Sequence, residues 1–180
     1  MNRTIHFKIV SVIWVLLFLV NNAIAQKVYA PDGYSLSVTF PGDYSVLNKS
    51  TQESQSVYKA NLYEASFSNS NNMLQLSATF GTFQRQAKPS NKNEKLIHLK
   101  GLVEEIKNQS GTEFQFYEPF DLGSSGSGIS FTCSKGKNQT PVYNGTVFII
   151  EDKLYMFFAK LSDLKYQNQV LSFLKSAIEG

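Results

Sequence analysis

Polar and apolar residues alternate with a period of two over several short stretches, and that alternation predicts most of a β-sheet. Tyr34, Leu36, Val38 and Phe40 alternate with Ser35, Ser37 and Thr39 until Pro41-Gly42-Asp43 interrupts them. Ahead of this strand, residues 26–33 read as a short lead with a turn at Pro31-Asp32-Gly33. Val46 fits a short second strand, and residues 48–54 read as polar loop. Residues 57–67 and 73–83 are two strands of a hairpin, because Ser68-Asn69-Ser70-Asn71-Asn72 between them supplies turn chemistry. Residues 114–117 predict another short strand, and Ile129, Phe131 and Cys133 alternate with Ser130, Thr132 and Ser134 in the next. The most apolar hairpin joins residues 142–150 to 153–160 through Glu151-Asp152. Its strands are apolar on both faces, which predicts cover on both sides.

The period changes to that of a helix in two places. Leu96, Leu99, Leu102, Val103 and Ile106 share one helical face, Asn91 and Glu94 have capping-box spacing before them, and Ser110-Gly111 ends the run. From about Leu164 to Ile178, one half of the helical wheel holds Tyr166, Val170, Leu171, Phe173, Leu174, Ala177 and Ile178. The order strands, helix, strands, helix predicts an α+β domain with an antiparallel sheet and one main helix from each half.

The first 25 residues follow different rules. Arg3 and Lys8 precede an apolar run from Ile9 to Val20, and Ala23-Ile24-Ala25 is a small-x-small ending. This is the layout of a secretory signal peptide cut between Ala25 and Gln26. The run falls short of the roughly 20 residues that cross a bilayer core, so no stable membrane anchor is expected after cleavage. Residues 26–180 then form a single α+β domain, exported to the periplasm or secreted. Export also changes the charge. The chain has 17 basic and 14 acidic residues, and the leader removes Arg3 and Lys8, which leaves little excess charge for nucleic acid. The 17% charged fraction argues against a multi-span membrane protein, and the 13% aromatic fraction against a disordered tail.

Candidate chemistry is sparse. Beyond the leader, His98 is the sole imidazole and Cys133 the sole thiol. His98 lies at the edge of the first helix's apolar face with no orienting acid at a recognisable spacing, and Cys133 occupies an inward strand position that suits an inert thiol. Two such residues make a poor zinc set. Glu104 and Glu105 point about 100° apart on a helix, and Glu151 and Asp152 sit at a hairpin tip. Gly123 to Gly128 lacks the Lys-Ser/Thr ending of a phosphate loop and has no helix after it, so it is read as a linker or mobile loop. Arg85, Lys88, Lys92, Lys95, Lys100 and Lys107 read as a solvated basic face, with an anionic partner as the sharper alternative. No catalytic, cofactor-binding or metal-binding residue is assigned.

Phe40-Pro41-Gly42 after the first strand, the helix after the mid-chain hairpin, the apolar hairpin Asn144 to Ala159 and the closing Phe173-Leu174-Lys175-Ser176 helix together resemble the Mog1/PsbP/DcrB-like superfamily. The resemblance spans roughly residues 34–178. It implies an antiparallel sheet flanked by two main helices, an α/β/α sandwich. It also implies relatives that mostly bind partners and do not catalyse, and it carries no site residue across. The reading is therefore a secreted or periplasmic, non-enzymatic binding or assembly accessory protein with a protein partner in the envelope or outside the cell, and no cofactor. Its alternatives are a secreted hydrolase using carboxylates or a serine, and a carrier of an apolar ligand between sheet and helix.

Overall fold

Antiparallel hairpins build most of the molecule, and each begins where the alternation of side chains meets a turn sequence. The computed structural model describes residues 26–49, 62–83, 88–123, 126–137 and 139–179. The expected leader and the first residues of the 57–67 strand lie outside these. Strands β1 (Lys27–Tyr29) and β2 (Val38–Phe40) form a small two-stranded ladder. A seven-stranded antiparallel sheet follows, built from β3 (Ser45–Lys49), β4 (Leu62–Ser68), β5 (Leu74–Thr82), β6 (Glu113–Asp121), β7 (Gly126–Ser134), β8 (Val142–Ile150) and β9 (Lys153–Leu161). Its spatial order is β3-β4-β5-β9-β8-β7-β6. After β5 the chain runs through helix α1 (Lys92–Ser110) to the far edge, then works inward until β9 closes against β5.

The apolar hairpin has the two-sided cover its composition requires. On one face Phe148, Tyr155 and Phe157 pack with Leu76, Phe80, Phe40 of β2, and Val170, Phe173 and Ala177 of the last helix, α2 (Gln167–Glu179). On the other, Val147, Ile149 and Leu154 pack with Ile129, Phe131, Cys133 and with Leu99 and Val103 of α1. Successive strand residues point to opposite faces, so Val147, Phe148 and Ile149 alternate between the two cores.

Helix α1 is capped as its sequence predicts. The Asn91 side chain accepts the Glu94 N–H at 3.0 Å, and Gly111 ends the helix in the left-handed conformation at φ 62°. The Glu94 carboxylate reaches one residue further back than in a standard box, accepting both the N–H and the hydroxyl of Ser90 at 2.6 and 2.8 Å.

Four expectations need correction. The strand expected from Tyr34 pairs only at Val38–Phe40, because its ladder partner is three residues long and lies in the supposed lead. Pro31, just beyond Tyr29, has no N–H with which to extend that ladder; Tyr34 and Leu36 still pack on the core. The short strand at 114–117 is nine residues long and contains Pro119. It tolerates proline because it is the sheet edge, and a register shift between Phe114 and Phe116 hides its period. The supposed linker is partly a buried strand: Gly126, Ser127 and Gly128 pair with Ile150, Ile149 and Phe148. Finally, the closing helix starts with a 3-10 turn over Leu164–Tyr166, and Leu171, expected on its inner half, is 56% exposed.

Candidate functional site

The helices leave part of the sheet uncovered. Helix α1 lies on β6, β7 and β8, and α2 lies on β2, β8 and β9. On the α1 face, the half built from β3, β4 and β5 therefore carries no helix among the described residues. Two cross-strand rows cross this open half. One is Ser45, Ser66, Ser77 and Phe158; the next is Ser68, Gln75 and Lys160. They line a recess of about 500 Å³, together with Asp43, Phe67 and Leu76. That volume lies within the range of small-molecule sites, about 300–1,000 Å³.

The chemistry of the recess follows from what its side chains are already doing. The Phe158 ring is fixed from beside: Tyr143 stacks on it at 5.8 Å between centroids, and Phe131 lies at 6.5 Å. Ser68 is committed, donating to Asn72 Oδ1 at 2.7 Å. Asp43 faces Lys27 at 3.3 Å. Ser66, Gln75 and Ser77 make no side-chain hydrogen bond among the described residues, and Lys160 makes no ion pair there. The open half thus presents free donors and acceptors, the ammonium of a half-buried lysine and one fixed aromatic ring. It can hold a polar chain with an anionic group. Its described lining residues include no imidazole or thiol with which to move a proton.

The residues singled out from sequence lie elsewhere and apart. His98 is half-buried on α1, with its ring 5.7 Å from that of Phe83. Cys133 is fully buried, and burial pushes its thiol up to about 11 against a small opposing hydrogen bond with Thr112. Glu104 pairs with Lys107 at 2.7 Å while Glu105 accepts from Gln109 at 2.9 Å, so the two carboxylates face different partners. Glu151 is an exposed turn residue at φ 55°. Among the described residues, no group of three or more His, Cys, Asp or Glu side chains is placed to hold a metal ion.

The basic stretch does not form one face. Lys92 is paired with Asp121 at 2.7 Å, Lys107 with Glu104, and Lys95 is buried at 7% exposure. Lys88 and Lys100 remain exposed, and Arg85 lies outside the described residues. The recess residues Ser66, Gln75, Ser77, Phe158 and Lys160 went unnoticed in sequence. The polar positions of β4 and β5 do alternate visibly, but such alternation marks any solvated sheet face. Nothing local shows that a ring and an ammonium from β9 join it.

No family model matches the chain, and no curated protein does. Among solved structures it is similar to the solution structure of cyanobacterial PsbP (CyanoP) from Synechocystis sp. PCC 6803. The likeness covers 87% of this chain and 91% of that one, with a TM-score of 0.56 and 10% sequence identity. The fold is therefore PsbP-like: a mostly antiparallel sheet with two main helices.

Proposed function

We propose that this chain is an exported, non-enzymatic accessory protein that binds a protein partner in the cell envelope or outside the cell through the open recess. The observation that carries this reading is the uncommitted polar surface of β4 and β5 beside the fixed Phe158 ring. Surfaces that unite free hydrogen-bonding groups with a held aromatic side chain are suited to recognition. The leader pattern supports export with cleavage between Ala25 and Gln26, to the periplasm or beyond. No helix among the described residues is long and apolar enough to cross a membrane. The PsbP-like fold supports the finer α/β/α sandwich and an accessory role, by analogy alone.

The alternatives draw less support from the same recess. A hydrolase using carboxylates or a serine has a single lining carboxylate there, Asp43, which faces Lys27, and the lining serines have no imidazole among the lining residues to activate them. A carrier of an apolar ligand would need apolar walls, whereas only Phe67, Leu76 and Phe158 among the lining residues are apolar. The test is site-specific photo-crosslinking in the producing cell, with a benzophenone residue at position 77 or, as a control, at position 130 on the opposite sheet face. A discrete protein adduct from position 77 alone is the expected result. Equal labelling from both positions, or none from position 77, would remove the recess as the binding surface.

A further inference from the structure

We infer that the recess recognises the free C-terminus of a peptide chain, with Lys160 receiving the terminal carboxylate and Phe158 the apolar side chain of the last residue. This deepens the binding role proposed above and rests on it. Lys160 and Phe158 are two residues apart on β9, so they share a sheet face about 7 Å apart along the strand. One is the ammonium of a half-buried lysine without an ion pair among the described residues; the other is a ring held from beside by Tyr143. A C-terminal apolar residue carries a carboxylate and an apolar side chain on one Cα, and so meets both at once. An internal aspartate or glutamate presents a carboxylate with no apolar group on the same residue.

The neighbouring rows extend the match. Gln75 and Ser77 pair in register with Lys160 and Phe158, and Ser66 lies one strand further on. Their free groups are placed to bond the peptide N–H and C=O groups that precede the terminus, which lose water on entering the recess. The ammonium stands at the β9 side, whereas Asp43 stands on the β3 side, three strand spacings or about 14 Å away. This separation gives the recess a direction: the carboxylate is drawn toward Lys160 at β9, whereas Asp43 at the other side is already matched by Lys27.

The test uses N-acetyl-Ala-Phe with a free carboxylate and the same compound as its C-terminal amide, titrated into isotope-labelled protein by amide-resolved NMR. The free acid should shift the amides of Gln75, Ser77 and Lys160 and saturate, with the amide at least tenfold weaker. Lys160→Met should weaken the free acid at least tenfold at an unchanged thermal midpoint, and Lys160→Arg should retain most of the affinity. Equal binding of acid and amide, saturation at another surface, or no binding would overturn the carboxylate assignment. If crosslinking from position 77 persists in that case, the recess still binds a partner and only its chemistry is misassigned. If that crosslinking is also lost, the binding role itself fails.

Discussion

The ring of Phe131 lies over Gly145, its cross-strand neighbour, so closely that a β-carbon at position 145 would fall 2.4 Å from Cζ. Phe120 covers Gly128 in the same way one strand pair away, at 2.2 Å. The two sites differ in room to move. Phe131 is 2% exposed and sits in the core beneath α1, whereas Phe120 is only partly buried. Gly145→Ala should therefore cost about 1–3 kcal/mol by overpacking, and Gly128→Ala should cost less because its ring can swing outward. Urea unfolding of both variants checks the order, and a larger loss at position 128 would contradict it.

Helix α1 offers a change in each direction. Gly101 sits in the helix interior with open space where a β-carbon would lie. Gly101→Ala should stabilise the protein by about 0.5–1 kcal/mol, since glycine is the poorer helix former. Asn91→Ala should destabilise it by about 1 kcal/mol through loss of the cap to the Glu94 N–H. Thermal midpoints moving in opposite directions are the expected readout.

The last helix separates an anchor from a bystander two residues away. Phe173 is 1% exposed, 5.2 Å from the Phe40 ring and 6.4 Å from that of Phe157. Phe173→Ala should cost about 3–5 kcal/mol, a large share of the roughly 5–15 kcal/mol that holds a typical domain folded. Leu171→Ala should change stability by less than about 0.5 kcal/mol, as exposed positions do. Denaturant midpoints of the two variants distinguish a docked helix from an appendage.

Cys133 makes stability depend on alkaline pH with a defined sign. Burial raises its thiol from 9.0 to about 11, so the folded state holds the proton more tightly than the unfolded chain. The resulting stabilisation is complete below pH 9 and is lost as the pH rises through the interval to about 11. Tyr29, which is buried, and Tyr34, which is partly buried, are shifted the same way, so the comparison needs a control. The unfolding midpoint should fall more steeply over this interval in the parent than in Cys133→Ala. The native thiol should also resist alkylation at neutral pH, and neither Cys133→Ala nor His98→Ala should reduce crosslinking from position 77. Rapid alkylation of the folded protein would contradict the buried assignment.

Elements set by local physics were legible in the sequence. The Asn91 cap, the Gly111 stop, the Asn-rich turn between β4 and β5 and the Val142–Leu161 hairpin all depend on neighbouring residues and on period. Each has a residue whose conformational preference acts locally. The two-sided apolarity of β8 and β9 even announced that both sheet faces are covered there. Where a residue's role depends on a distant partner, local pattern misled. Gly126 to Gly128 reads as a linker because three small residues have no period, yet β8 and the Phe120 ring make it a buried strand.

The candidate site belongs to the same second category. The polar face of β4 and β5 and the apolar face of α1 are both readable from local alternation and helical period. That α1 covers β6 to β8 and, among the described residues, leaves this face of β4 and β5 without a helix follows only from the assembled sheet. The reason is the strand order: α1 carries the chain from β5 to the opposite edge, where it packs on the apolar rows of β7 and β8. Burial of apolar surface fixes the helix there, and the polar rows remain in solvent beside Phe158 and Lys160, which a separate, later strand brings to them.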